Sequence, residues 1–420
     1  MNKEEKNQKI KNTLLETKKR HSNMECKTFE VKVISNKVNV NQRNQINTLF
    51  KEAKWIRNAY LNNKDDLIGN FKEVPVKVKD SIEIKPLIII GSQIKQSVIS
   101  QINSEIKSLS SNKKNGKKIG KLKYKSYLNS LNLKQYGTTY KIENNNHIKI
   151  QNIDKPLYVR GLRQIPKDAE ISNAKFVRKV NGLFFYITCF IPSQESEKTN
   201  KIVGIDFGIE NNLNFSDESK PFNCDIKESS YIKRLSRKIN RCWLKNNKHN
   251  SNNNLKRIKK IKIAYNKQNN LKHDIANKEV HYLLTNYDFI AIQDEMLSNW
   301  QKGLFGKQIE HSCMGTIKAK LKQSSKVHVI SRSFPSTQIC PNCGALNKHP
   351  LSKRDYDCLS CGYHHDSRDE KSAQSILDQA LYEVSMERRA KSPDEIKSST
   401  ISVLNCDSKI LSMTQEAQML

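Results

Sequence analysis

Two Cys-x-x-Cys pairs constrain the fold of this chain more than any other feature of its sequence. Fourteen residues separate the pairs, and each pair presents two thiolates from one tight turn. The four residues are Cys340, Cys343, Cys358 and Cys361. Two such pairs complete the tetrahedral thiolate site that structural zinc prefers, and four thiolates leave no open position for catalysis. The sequence therefore predicts a zinc ribbon over residues 335–365, with spare ligand candidates at His349, His364 and His365.

The chain carries far more positive than negative charge. Its 74 Lys and Arg residues against 42 Asp and Glu give a formal net charge of +32 over 420 residues. This excess predicts a polyanionic partner, because neutralised phosphates release counterions and favour binding. A membrane surface is the rival polyanion, but no stretch approaches the ~20 apolar residues of a membrane span. We expect a nucleic-acid-binding protein without membrane contact, and a cytoplasmic one, since the charged N-terminus has no secretory signal.

Hydrophobic patterning divides the N-terminal half into a basic arm and a β-domain with a helical insertion. Residues 1–25 are charged throughout and predict a disordered arm. Residues 26–35 alternate as a strand does, and short alternating runs return between 127 and 191. This pattern predicts a small β-barrel over 26–200. Apolar stripes at three-to-four spacing predict helices inserted into it at about 41–110.

The C-terminal half has a different pattern of charged and apolar residues. A polar linker at 193–200 precedes a second domain, which we expect to occupy 201–334 and to resume at 366–380 after the ribbon. Residues 221–280 hold 16 Lys and Arg against four Asp and Glu, with apolar residues at helical spacing. A solvated helical hairpin is the ordinary interpretation, and the charge favours a helix pair laid along a nucleic-acid backbone. Residues 381–420 predict a disordered C-terminal tail.

Acidic side chains stand at the ends of three apolar elements in this second domain. Asp206 ends a strand-like run, Asp294 and Glu295 follow the buried run 289–292, and Asp369 opens a helical pattern. Taken singly, each acid has an ordinary explanation as a turn or helix-start residue. Taken together, they form the carboxylate set that phosphodiester cleavage needs. Carboxylate oxygens can hold two Mg²⁺ ions ~3.5–4 Å apart, one activating water and one stabilising the leaving oxygen.

The order of these motifs resembles the RuvC-type nuclease domain, and more narrowly the TnpB family of transposon-encoded RNA-guided endonucleases and the miniature type V CRISPR effectors derived from them. The resemblance lies in the GIDFG run, an acid after a buried strand, the SFPSTQICPNCG run and the D-x-x-S-A run from Asp369, in which Lys371 replaces the family's Asn. The resemblance is close over most of residues 201–377. Over residues 26–200 it is limited to the order of strand, helical insertion and barrel. It implies an α/β, RNase H-like domain with an inserted four-Cys zinc ribbon, beside a small β-barrel with a helical insertion.

The resemblance also assigns catalytic positions. Asp206 matches the family's first catalytic acid and Asp369 its third. The family usually has Glu directly after the second strand, where this chain has Gln293. Glu295 lies two residues on, on the same face of an extended strand, and is our prediction for the second acid, with Asp294 as the alternative. These three acids would be the ligands of catalytic Mg²⁺, most simply two ions.

The function that the resemblance implies is RNA-guided cleavage of DNA. A non-coding guide RNA would pair with one strand of double-stranded target DNA, while the barrel and its insertion read a short motif beside the target. One Mg²⁺-dependent RuvC site would cut both strands in turn. The resemblance further implies a prokaryotic, nucleoid-associated protein, acting as a monomer or a homodimer. It does not separate a transposon protein from a CRISPR effector.

Three rival functions belong to other classes. A nuclease-inactive, repressor-like RNA-guided DNA-binding protein would lack carboxylates, whereas this chain keeps an acid at all three positions. An actin- or chaperone-like ATPase also begins with an apolar strand and Asp-x-Gly, but Ile209 and Glu210 stand where phosphate-binding hydroxyl residues would follow. A DNA-joining transposase would need a separate strand-transfer site, which the sequence does not supply.

Overall fold

The chain divides into two units, residues 1–195 and residues 196–420. A computed structural model describes residues 3–63, 67, 71–78, 81–192, 198–217, 219–246, 251–350 and 353–390. The boundary falls inside the polar linker expected at 193–200, of which residues 193–197 lie outside the described residues. Each unit has its own sheet and its own buried hydrophobic core.

A nearly closed, barrel-like antiparallel sheet forms the first unit. The strands of this unit are β1 (Met24–Val33), β2 (Glu73–Val78), β3 (Ser81–Pro86), β4 (Ser130–Leu133), β5 (Tyr140–Glu143), β6 (His147–Ile150), β7 (Leu157–Arg160), β8 (Glu170–Lys179) and β9 (Gly182–Pro192). The barrel-like sheet has the order β4-β8-β9-β1-β7-β6-β5. β1 pairs with β9 and then β7, and its alternation buries Val31 and Val33.

The N-terminal arm differs from its predicted disorder, because residues Lys3–His21 form helix α1. Glutamates open the helix and basic residues close it, which complements the helix dipole. At its end, Arg20 donates two hydrogen bonds to the carboxylate of Glu170, at 2.9 and 3.1 Å, and the His21 ring stacks on Phe190 at 3.6 Å. These contacts with β8 and β9 stabilise a helix that has no hydrophobic stripe for a sequence prediction to find.

Two helices and a hairpin lie between β1 and β4, where an insertion at about 41–110 was expected. Helix α2 (Val40–Asn62) begins at a capping box formed by Asn39 and Gln42, and helix α3 (Ser92–Lys114) follows the β2–β3 hairpin. The predicted apolar stripes are buried against the barrel-like sheet. The hairpin itself was not predicted, since its exposed Ile82 and Ile84 do not mark a buried face.

A buried carboxylate fastens α2 to the start of α3. Glu52 is 1% exposed and accepts hydrogen bonds from the backbone N–H groups of Ile88, Ile89 and Ile90, at 2.8 to 3.3 Å. Glu52 thus satisfies the backbone N–H groups before α3 in the same way that a capping side chain satisfies the first N–H groups of a helix. The turn before α3 therefore depends on this single side chain.

The sheet of the second unit has four strands. They are β10 (Ile202–Asp206), β11 (Asn214–Phe215), β12 (Phe289–Gln293) and β13 (Val327–Ile330), in the order β11-β10-β12-β13. β10, β12 and β13 are parallel, and β11 runs antiparallel to β10. Every residue of β12 is buried, as is typical of a parallel strand covered on both faces. The carboxyl ends of β10 and β12 therefore lie side by side.

Helices surround this sheet, and two short strands complete the ribbon. The helices are α4 (Ser230–Asn246), α5 (Asn252–Asn286), α6 (Leu297–Trp300), α7 (Gly306–His311), α8 (Met314–Leu321) and α9 (Arg368–Ala390), and the ribbon strands are β14 (Tyr356–Asp357) and β15 (His364–His365). The basic segment 221–280 thus contains α4 and most of α5. None of the described helices is long and apolar enough to cross a membrane.

The last helix extends beyond the predicted end of its domain. We expected a disordered tail from 381, whereas α9 continues to Ala390. The reason is that Leu381 and Val384 still pack against the core formed by β12, β13 and α9. The remainder of the predicted tail, 391–420, lies outside the described residues.

Replacing Glu52 by alanine should destabilise the first unit by about 3 kcal/mol, because it leaves buried backbone donors without an acceptor. Chemical denaturation monitored by circular dichroism measures this loss. Glu25→Ala is the matched control, since the Glu25 side chain is half exposed on β1. Equal stability of the two variants would contradict the role assigned to Glu52.

Candidate metal centres

The four cysteines of the predicted ribbon come together in one cluster. The sulfur atoms of Cys340, Cys343, Cys358 and Cys361 all lie within 4.8 Å of one another. Gly344 and Gly362 each adopt φ of +70°, and each donates its backbone N–H to the first cysteine of its pair. Both turns therefore use the left-handed conformation that glycine allows. Four converging thiolates fit a structural zinc ion.

The spare histidines of the ribbon have other partners. The His364 imidazole lies 2.6 Å from Asp357 and 3.0 Å from Asp366, while His365 accepts a hydrogen bond from the backbone of Ser367. His349 packs edge-on against Tyr356. The four thiolates therefore form the proposed zinc ligand set, and none of the three histidines is needed as a ligand.

The first predicted acid, Asp206, sits where helix α9 presses against strand β10. A β-carbon on Gly204 would lie 2.0 Å from the backbone oxygen of Ala373, so only glycine allows this approach. Asp206 ends β10 two residues after Gly204, and Asp369 opens α9 four residues before Ala373. The contact therefore brings the first and third predicted acids to the same end of the sheet.

Asp206 is the most perturbed carboxyl group of this site. It is 8% exposed, and burial together with the negative charges of Asp369 and Glu295 raises its pKa to about 8. The neighbouring Ser372 side chain and the Phe207 backbone oppose this shift. Asp206 thus interacts electrostatically with both of the other predicted acids, although the oxygens of the three do not all lie within 4.8 Å of one another.

The two candidates for the second acid have different surroundings. Asp294 lies 3.3 Å from Lys318 and also pairs with Lys322, and the hydrogen bond from Lys322 lowers the pKa of Asp294. The pKa of Glu295 is instead raised by burial, and its charge reaches Asp206. The choice of Glu295 stays a prediction, and this geometry favours it because Asp294 is already neutralised by two lysines.

Three basic residues lie beside the acids, and the sequence had assigned a role to none of them. Arg354 in the ribbon lies 3.6 Å from Asp369 and 2.6 Å from Glu210. Lys318 on α8 donates a hydrogen bond to the backbone of Glu295. Lys371 is fully buried, and burial lowers its pKa to about 8. Lys371 was named only as a departure from the family pattern, and Arg354 and Lys318 lie 15 and 23 residues from the acids that they contact.

Comparison with known families gives two matches within this chain. Residues 186–299 match the OrfB_IS605 family, described as a probable transposase, and residues 314–376 match the Cas12f1-like TNB domain. The first match contains Asp206 and Glu295, and the second contains the four cysteines and Asp369. OrfB_IS605 proteins are the TnpB proteins. The comparisons confirm the resemblance to the TnpB family.

Two further likenesses accompany the TnpB matches. A relative from Streptomyces pristinaespiralis, whose name assigns it provisionally as an RNA-guided DNA endonuclease, is 25% identical over 265 residues, which cover 61% of this chain and 64% of the relative. The alignment thus spans less than two thirds of the relative. A Cas12f1 chain, from a cryo-EM structure with sgRNA and target DNA, aligns over 84% of this chain and 99% of its own at 13% identity, with a TM-score of 0.43.

Stability should depend on pH through Asp206. Its pKa rises from 3.8 to about 8 in the folded state, so its contribution to stability is full below pH 4 and is lost as the pH rises towards 8. Mg²⁺ should replace the proton and restore stability most strongly at the alkaline end. Thermal melts of the parent and of Asp206→Asn across this range check both effects. An identical pH dependence and Mg²⁺ response in the two proteins would contradict the assignment.

Zinc should be lost when one thiolate of the ribbon is removed. Cys358→Ser should lower the zinc content from about one ion per chain and lower the melting temperature, because three thiolates no longer close the site. Plasma emission spectrometry measures the metal. Cys26→Ser is the matched control, since Cys26 is an exposed free cysteine on β1. Full zinc content in Cys358→Ser would show that the ribbon does not use this ligand.

Proposed function

We propose that this protein is an RNA-guided DNA endonuclease with one Mg²⁺-dependent site. The observation that carries the proposal is the convergence of Asp206, Glu295 and Asp369 at the carboxyl end of a parallel sheet. The sheet, with α9 packed on it, would be an RNase H-like nuclease core. The name of the Streptomyces pristinaespiralis relative supports the same activity, and both family matches contain residues of this site.

Asp206, Glu295 and Asp369 would hold the Mg²⁺, because their oxygens are the ligands that this hard cation prefers. When bound, the cation would activate water and stabilise the leaving oxygen of the phosphodiester. Burial of Asp206 excludes competing water from one side of the site. Arg354, whose side chain is 58% exposed beside Asp369, would meet a phosphate of the substrate through its guanidinium group.

The guide RNA and its pairing with DNA would lie along basic surfaces. Helices α4 and α5 form a hairpin whose segment 221–280 carries a net charge of +12. Trp243 and Tyr282 stand about half exposed on it, which suits contact with sugars and bases as well as phosphates. We infer that this hairpin follows the nucleic-acid backbone, in a protein that reads shape while base pairing reads sequence.

A groove in the first unit would read the motif beside the target. It encloses about 430 Å³, and it is lined by Arg57, Gln101, Tyr124, Tyr127 and Asn129, among others. Arg57 is 3% exposed and donates from Nη2 to Glu105 at 2.7 Å, while its Nε has no hydrogen-bond partner in the part of the chain that the structure describes. Tyr124 and Tyr127 are each 64% exposed at the rim. Amide, hydroxyl and guanidinium groups are the donors and acceptors that read base edges.

Purification with co-expressed RNA followed by sequencing tests the guide, and cleavage of a matching target tests the nuclease. A discrete structured RNA should copurify. Asp206→Ala and Glu295→Gln should each reduce the cleavage rate by more than ~100-fold, since loss of groups that merely orient a metal ligand already costs ~10–100-fold.

Asp294→Asn is the matched control for the second acid, because it changes the neighbouring carboxylate that is paired with Lys322. Random cellular RNA on the purified protein would contradict the guide. Cleavage by Asp206→Ala at the parent's rate would contradict the site. A parent that binds the guide and the target without cutting either strand would instead indicate a nuclease-inactive DNA-binding protein.

A further inference from the structure

Two residues that depart from the family pattern are joined in this structure by a third. Gln293 stands where the family usually has Glu, and Lys371 stands where it has Asn. Both are buried, with exposures of 2% and 0%. Gln293 lies two residues before Glu295, and Lys371 lies two residues after Asp369. Each departure thus sits beside one of the proposed metal ligands.

The Gln293 carboxamide binds the loop that follows β13. Its Nε2 donates to the backbone oxygens of Phe334 at 2.7 Å, Ser331 at 3.2 Å and Arg332 at 3.3 Å. Its Oε1 accepts a hydrogen bond from the Ser336 hydroxyl at 2.9 Å. The side chain is therefore directed into the loop, and both of its polar atoms are in use.

The Lys371 ammonium binds the segment that leads into the first cysteine pair. It donates to the backbone oxygens of Ser336 at 2.9 Å and Ile339 at 2.7 Å, and it lies 4.0 Å from the centre of the Tyr356 ring. Cys340 follows Ile339, and Tyr356 precedes Cys358 by two residues. A buried cation is stable only when it is paired and hydrogen-bonded, and here its partners come from both approaches to the ribbon.

Ser336 is the residue that both side chains share. Its hydroxyl binds Gln293 at the end of β12, and its backbone oxygen binds Lys371 on α9. Ser336 is itself 5% exposed, so the whole connection is shielded from water. Buried hydrogen bonds of this kind fix geometry, because a broken member leaves its partners unsatisfied.

We propose that Gln293, Ser336 and Lys371 form a positioning bridge that sets the separation of Glu295 and Asp369 around Asp206 and joins both to the zinc ribbon. The bridge also explains why the second acid stands at 295. The side chain at 293 faces three backbone oxygens, which a carboxylate would repel and an amide can bind. This inference rests on the proposed metal site, and its test therefore measures metal binding directly.

Binding of Mn²⁺ to the zinc-loaded, full-length protein, followed by the electron paramagnetic resonance signal of the free ion, tests the bridge without any cleavage. Ser336→Ala should weaken Mn²⁺ binding about tenfold, the scale of losses for groups that orient metal ligands. Lys371→Met should weaken it at least as much and should also release zinc faster to a chelator. Ser333→Ala is the matched control, since Ser333 lies exposed in the same loop.

A second experiment tests whether a carboxylate at position 293 can bind the metal ion in place of Glu295. Gln293→Glu combined with Glu295→Gln should not bind Mn²⁺ and should melt at a lower temperature than Glu295→Gln alone. Recovery of Mn²⁺ binding in this double variant would overturn the bridge. Parent-like Mn²⁺ affinity in Ser336→Ala would also overturn it, whether or not Lys371→Met folds. If the parent binds Mn²⁺ and Asp206→Ala binds it equally well, the proposed metal site is overturned, and the bridge with it.

Discussion

The contact between Gly204 and helix α9 is the constraint on which the second unit depends. Without a side chain at 204, the backbone of Ala373 comes directly against β10. That approach places Ser372 at Asp206 and sets the first turn of α9, with Asp369, at the carboxyl end of the sheet. The parallel pairing of β10 with β12 delivers Glu295 to the same end. One missing β-carbon therefore brings chain segments more than 160 residues apart into a single site.

Electrostatics divides the acidic residues of this region into two classes. Asp294 is neutralised by lysines and has a lowered pKa. Burial raises the pKa of Glu295, and burial together with the charges of Asp369 and Glu295 raises the pKa of Asp206. Burying carboxylates beside one another costs free energy unless the charge is compensated. A bound cation would compensate it, as the proposed function requires.

The sequence predicted those features whose signal is local. The four cysteines follow from spacing alone, and Asp206 follows from a strand that ends in an acid. Contacts between distant segments left no local signal. Arg20 meets Glu170, which is 150 residues away, so α1 appeared disordered in the sequence. Gln293 and Lys371 each meet Ser336 only after the chain has folded, so an amide and a lysine looked like losses from a family pattern.

We propose above that Asp206, Glu295 and Asp369 form one metal site. Anomalous diffraction from crystals grown with Mn²⁺ tests it most directly, because it locates the ion without relying on cleavage or on a guide RNA. We expect an anomalous peak within coordination distance of Asp206 and of at least one of the other two carboxylates. Mn²⁺ bound elsewhere, with Asp206 free of any ion, would contradict it.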